Sequence, residues 1–261
     1  MNSIFLAVAA VTIVGIICAV VLSVASKVMA VEENELAGQI RECLPGANCG
    51  ACGYAGCDGY AAALAEEDVK TNLCTPGGNE VAEKIAEIKG VAFEAAASLR
   101  AVVNCCGDCD AAPRKAKYDG IESCAAAKLF YGGDNMCVFG CLGLGDCVDA
   151  CIKDAICIEK GIAHIDARVC SGCGSCAKAC PNNLITIVPA DKTVYVACSN
   201  TDKGAKTRKD CSRGCIGCKK CEKECPNGAI TVINNNAVID YEKCDCCGRC
   251  ANVCTTKCIV K

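Results

Sequence analysis

The sequence predicts an α+β chain in distinct parts. These are an N-terminal transmembrane helix, a small helical domain, and two tandem copies of a cysteine-rich unit with short strands. Three observations carry this. Residues 4–26 hold no charged side chain. Thirty-one of 261 residues are cysteine, many in C-x-x-C runs. The second half repeats itself at an offset of 74 residues.

The first part, residues 1–27, is expected to be a membrane anchor. The run IFLAVAAVTIVGIICAVVLSVAS is long enough as a helix to span a hydrocarbon core of roughly 30 Å. No Lys or Arg precedes it, and it exceeds the apolar stretch of a cleaved signal peptide. Lys27 follows it and favours a cytoplasmic side for what comes after. The expectation is a single-pass protein of the inner or plasma membrane, with membrane lipid as one partner and the cysteine-rich part facing the cytoplasm. A net charge of −3 argues against nucleic acid as a partner.

The cysteines have three readings: disulfides, zinc and iron–sulfur clusters. Disulfide scaffolds are usually short secreted chains, whereas tightly spaced runs suit a shared metal centre. Aromatic residues make up 4 % of the chain and Trp is absent, so a conventional core is thin. Metal sites would supply the missing cross-links.

The second part, residues 32–90, carries CGACGYAGC and then Cys74. Cys49, Cys52, Cys57 and Cys74 form a C-x2-C-x4-C-x16-C set on a Gly-rich loop, with a helix expected over Asp58–Lys70. Zinc remains an alternative on this spacing. Residues 79–103 show helical spacing at Val81, Ile85 and Ile88, broken at Gly90. Residues 91–123 are expected to be a linker.

The third and fourth parts, residues 124–197 and 198–261, are the repeat. At the 74-residue offset Cys137, Cys141, Cys147 and Cys151 fall on Cys211, Cys215, Cys221 and Cys225. Cys170, Cys173, Cys176 and Cys180 fall on Cys244, Cys247, Cys250 and Cys254, and Cys124 falls on Cys198 without insertion or deletion. CIGCKKCEKECP, 215–226, is the regular C-x2-C-x2-C-x3-C-P run of bacterial ferredoxins. In the first copy Leu144 replaces the middle ligand Cys218, and Cys137 is expected to make good the loss. In two-cluster ferredoxins the fourth cysteine of each run serves the other cluster. The expected sets are therefore Cys137, Cys141, Cys147 with Cys180, and Cys170, Cys173, Cys176 with Cys151. In the second copy they are Cys215, Cys218, Cys221 with Cys254, and Cys244, Cys247, Cys250 with Cys225. Hairpins are expected in AICIEKGIAHID (155–166) and AITVINNNAVID (229–240), and a strand in LITIV (184–188).

Five [4Fe-4S] clusters result. Cys105, Cys106, Cys109, Cys124, Cys198 and Cys211 are left as candidates for a sixth, or as buried thiols. The single histidine, His164, excludes two-histidine Rieske ligation. GCLGLG (140–145) is not a dinucleotide fingerprint. No catalytic constellation is present.

LPGANCGACGYAGC after an anchor, followed by paired ferredoxin motifs, resembles the B-subunit family of the Rnf complex, the ion-translocating ferredoxin:NAD oxidoreductase. The likeness runs from the anchor through Cys254 and is to the form with two two-cluster domains. It departs at Leu144, and at Thr255 where a Pro often stands. It implies a small helical 4Fe-4S domain followed by two tandem bacterial ferredoxin-like domains. It also implies an electron-transfer subunit of an enzyme whose active site is not complete in this chain. Reduced ferredoxin would be the donor, and flavin-bearing and membrane Rnf-type subunits the partners in NAD reduction coupled to Na⁺ or H⁺ movement. The rivals are an iron–sulfur subunit of another anaerobic redox complex, and a zinc-structured interaction protein.

Overall fold

A computed structural model describes the backbone of residues 2–28 and 34–261, with side chains outside 1–4, 6, 7, 9, 10 and 26–33. Helix α1 (Asn2–Val28) is continuous. Among the described residues no helix is long and apolar enough to cross a membrane. Part of the expected span 4–26 lies outside the described side chains.

Helices α2 (Glu35–Cys43), α3 (Gly56–Glu66) and α4 (Gly78–Lys89) make the next layer. The Asn34 side chain accepts the Leu36 N–H at 3.1 Å and caps α2. Gly90, in the left-handed region, closes α4 where the apolar period breaks. The three helices bury Ile40, Tyr60, Leu64 and Ile85 against one another, with Cys57 and Cys74 in the same core. Helix α3 stops at Glu66 rather than Lys70. The Tyr60 hydroxyl donates to the Lys70 carbonyl at 2.7 Å and accepts the Leu73 N–H at 3.3 Å, which turns the chain back towards Cys74.

The stretch expected as a linker is more than that. It contains β1 (Leu99–Val103), so the helical period ends with α4. The first unit continues with α5 (Cys124–Leu129), α6 (Asp146–Asp149), β2 (Ile156–Glu159), β3 (Ile162–Ile165), α7 (Ser175–Ala179) and β4 (Ile185–Pro189). Strand β1 pairs antiparallel with β4, Val103 opposite Ile185, and β2 with β3 forms the expected hairpin. The second unit holds β5 (Tyr195–Val196), α8 (Gly204–Asp210), α9 (Lys220–Glu224), β6 (Ile230–Ile233), β7 (Asn236–Ile239), α10 (Arg249–Asn252) and β8 (Ile259–Val260). Its ladders match: β5 with β8, and β6 with β7.

These ladders correct the repeat register. The Cys141 N–H donates to Cys105 Sγ at 3.4 Å across 36 residues of sequence, and the Cys215 N–H to Cys198 Sγ at 3.2 Å across 17. Each acceptor follows the strand that opens its unit. Cys105 is thus the counterpart of Cys198, and the first unit carries 19 extra residues between these points (36 against 17). The 74-residue offset holds from Cys137 onward. Its match of Cys124 with Cys198 is a coincidence, because Cys124 opens α5 inside the insertion.

Among the described residues all four sheets are two-stranded, and such ribbons are marginal alone. Their apolar faces are packed with cysteine: Cys141, Cys147 and Cys176 among Ile156, Ile162 and Leu184 in the first unit. Gly143 brings the first motif's loop against the β2–β3 turn. Its φ is +69°, and an added Cβ would lie 2.4 Å from the Gly161 carbonyl oxygen. Gly143→Ala should therefore cost about 1–3 kcal/mol in anaerobic chemical denaturation. Gly145→Ala, which meets nothing within 4 Å, should cost less. Equal losses would show that the backbone approach is not what Gly143 provides.

Candidate metal centres

Five groups of four cysteines come together. On the first domain's loop, the Asn48 side chain accepts the Cys57 N–H at 2.8 Å and curls the turn. Cys49, Cys52 and Cys57 then face Cys74, which lies within electrostatic reach of all three. In the first unit Cys151, Cys170, Cys173 and Cys176 line one cavity. In the second, Cys215, Cys218, Cys221 and Cys254 line another, with Cys258 beside them. Cys244, Cys247 and Cys225 surround Cys250. The exchange of fourth cysteines between runs is visible in these groupings.

The remaining group departs from the sequence expectation. Cys141, Cys147 and Cys180 share their cavity with Cys124, not with Cys137. The cause is Asp146. Its carboxylate accepts the backbone N–H groups of Cys124 at 2.7 Å and Ala125 at 3.0 Å, and the Ser123 hydroxyl at 3.1 Å. This fixes the N-terminus of α5 against α6 and turns Cys124 inward. Burial pushes the Asp146 carboxyl up, but these hydrogen bonds outweigh it and hold the group below its ordinary range. No spacing rule exposes Cys124 as a partner of Cys141.

Cys137 lies elsewhere. With Cys105, Cys106, Cys198 and Cys211 it lines a cavity between the two units. Cys106 is within reach of Cys198 and Cys211, and Cys137 of Cys198 and Cys211. Asn200 Nδ2 donates to Cys137 Sγ at 3.4 Å. Cys105 turns towards Cys141. Cys109 is exposed, with its sulfur 3.9 Å from Asp110 Oδ1.

The residues fit iron–sulfur clusters. Among the described residues no three His, Cys, Asp or Glu side chains converge on the position of a single ion; the sulfurs are spread over cavity walls instead. Backbone N–H groups aim at them. Ala155 donates to Cys151 at 3.3 Å, Ala229 to Cys225 at 3.3 Å and Leu184 to Cys180 at 3.4 Å. Such donors stabilise thiolate and cluster charge. Burial pushes the Cys147 thiol up to about 12, so iron binding must displace a proton there. Four cysteines per cavity would hold each cluster, and the cluster would supply one-electron chemistry.

Cys124→Ala should lose the iron of one cluster, whereas Cys109→Ala should lose none, by iron quantitation after anaerobic purification. Full iron in Cys124→Ala would restore Cys137 to the first set. Asp146→Ala should cost about 1 kcal/mol through the lost α5 cap, read as a shifted denaturation midpoint.

Two family profiles match the chain. One, an Fe-S cluster family, covers residues 44–76, the loop and Cys74. The other, a 4Fe-4S dicluster domain, covers residues 169–230 and so takes the second motif of one unit and the first of the next. The chain is 41 % identical over 260 residues to the B subunit of the Na(+)-translocating ferredoxin:NAD(+) oxidoreductase complex of Acetobacterium woodii, covering 99 % of this chain and 78 % of that protein. It is 41 % identical to the proton-translocating counterpart of Clostridium ljungdahlii, with 99 % and 91 % covered. It is 40 % identical to the B subunit of the ion-translocating oxidoreductase complex of Methanosarcina acetivorans, with 94 % and 93 % covered. With this identity along almost its whole length, the chain belongs to the B-subunit family of ion-translocating ferredoxin:NAD(+) oxidoreductase complexes.

Proposed function

We propose that this chain is the membrane-anchored electron relay of such a complex. It takes electrons from reduced ferredoxin and passes them to flavin-bearing partner subunits that reduce NAD⁺ while Na⁺ or H⁺ is moved. The observation that carries the reading is the continuity of the cysteine groups. Lys178, beside Cys176 and Cys180, donates to the Cys49 carbonyl at 2.7 Å and joins the first domain to the first unit. Cys105 and Cys198, both on the cavity between the units, each touch the backbone of a ligand run, at Cys141 and Cys215.

The cavity between the units is the place of a sixth cluster, held by Cys106, Cys137, Cys198 and Cys211. This set differs from the one left over in the sequence, because it gains Cys137 and gives up Cys105, Cys109 and Cys124. Its support is position: without a cofactor here the two units' clusters would be separated by protein alone. Cys211→Ala should lower iron by one cluster's worth and slow electron passage between the units, followed by EPR after rapid reduction. Retained iron with unchanged kinetics would leave five clusters.

Helix α1 is the anchor in this reading. The support for this is the uncharged run 4–26 in the sequence, not the described part of the helix, which by itself is not long and apolar enough to span. Phe5, Ile16 and Leu22 are each more than 60 % exposed on it. Deleting residues 1–27 should release a protein from membranes that still assembles its clusters, since no proposed ligand lies there.

The donor's docking surface is assigned to the second unit. In the basic segment from Lys203 to Lys223, Lys206 is paired with Asp202 and Asp210, and Arg213 with Asp108. Lys219, Lys220 and Lys223 are exposed, and the first two line the cavity of Cys215 and of the exposed Cys218. A basic rim beside an accessible cluster steers an acidic donor and raises its on-rate more than its affinity. Replacing the three lysines with Gln should slow transfer from reduced ferredoxin several-fold at low salt and flatten its salt dependence. An unchanged rate and slope, with iron intact, would put the donor elsewhere.

A further inference from the structure

The two units hold equivalent clusters in unequal surroundings. Position 258 in the second unit corresponds to position 184 in the first, in the register that holds from Cys137 onward. Both side chains are almost fully buried, at 1 % and 2 % exposure, and each lines its unit's cluster cavity. Each immediately precedes the closing strand, β8 or β4. In the first unit the residue is Leu184, whose backbone N–H donates to Cys180 Sγ and whose side chain offers nothing further. In the second it is Cys258, whose sulfur lies 3.6 Å from Cys254 Sγ. Position 256 differs in the same sense. Thr256 Oγ1 is 3.7 Å from Cys254 Sγ, whereas its counterpart Asn182 turns away and donates to the Gly140 carbonyl at 2.7 Å.

We propose that Cys258 is not a cluster ligand but a hydrogen-bond donor to the ligand sulfur of Cys254, and that with Thr256 it raises the reduction potential of the Cys215, Cys218, Cys221 and Cys254 cluster above that of its Cys124, Cys141, Cys147 and Cys180 counterpart. The inference rests on the assignment of clusters to those two sets. The physical reason is charge. Reduction adds an electron to an already anionic centre, and donors to its sulfurs stabilise the reduced state more than the oxidised one. Leucine at the same place leaves the sulfur with its backbone donor alone. Four cysteines already line the cavity without Cys258, which leaves its sulfur, 3.6 Å from Cys254 Sγ, to act as a neighbour of the ligand set. A raised potential next to Lys219 and Lys220 would draw the electron off the donor at the point of arrival, and would leave a less downhill step afterwards.

The test is an anaerobic EPR redox titration of the full-length protein with iron quantitation on each variant. Cys258→Leu should keep wild-type iron and shift one titrating component to more negative potential, by about tenfold in its reduction equilibrium, which is 59 mV for one electron. Cys258→Ser, which keeps a donor, should not make that negative shift. Leu184→Cys should move the first unit's counterpart the other way, and it decides the matter even if Cys258→Leu fails to fold. Wild-type titration in both Cys258→Leu and Leu184→Cys overturns the proposal. Loss of one cluster's iron in Cys258→Leu overturns it too, since Cys258 would then be a ligand. Absence of cluster iron from the wild-type protein would instead sink the underlying assignment.

Discussion

Everything outside α1 depends on one constraint: buried sulfur has to be given a partner. The interior of each repeated unit is not an aliphatic core with cysteines at its edge. Cys141, Cys147 and Cys176 sit among Ile156, Ile162 and Leu184, and Cys215, Cys221 and Cys250 among Val194, Ile230 and Ile259. The strands around them come only in pairs. Ribbons of that size bury too little apolar surface to stand alone. The iron that binds the sulfurs therefore supplies folding free energy as well as redox chemistry. Fold and function are one set of contacts here.

That constraint explains the interleaving of runs. A cluster held by four consecutive cysteines would cross-link one short loop. Grouping the fourth cysteine with the other run places Cys151 beside the run at Cys170 and Cys225 beside the run at Cys244. Each cluster then closes a loop that spans a hairpin, and the two loops lock each other. The backbone donors from Ala155 and Ala229 follow from the same geometry, because each lies at the start of the hairpin that its run must enter.

Much of this was legible in the sequence, and the failures have identifiable causes. Both hairpins and the strand at 184–188 follow from local period and spacing, which are properties of neighbours in the chain. Strands β5 and β8 are two residues each and leave no period to read. Strand β1 was hidden because its partner β4 lies beyond both motifs of the unit, so the stretch resembles a linker until the ladder closes. The misplacement of Cys137 has a sharper origin. The offset of 74 residues carried Cys124 onto Cys198 by accident, which concealed an insertion. A thiol four residues upstream of Cys141 was also the nearest substitute for the missing middle ligand. The cysteine that shares the cavity of Cys141, Cys147 and Cys180 comes from the insertion and is held by Asp146, a contact between residues more than twenty apart.

Duplication followed by unequal change then accounts for the arrangement of the whole. Two identical units would place two identical pairs of clusters side by side, with no gradient between them and a gap at the seam. The first unit has Leu144 where the second has Cys218, and Cys124 from its insertion lines the cavity of Cys141, Cys147 and Cys180. Cys137 instead faces Cys198 and Cys211 across the seam. The second unit has the regular motif and a thiol at 258 where the first has leucine. The same departures that break the sequence symmetry thus bring cysteines from both units to the junction and make its two sides chemically different.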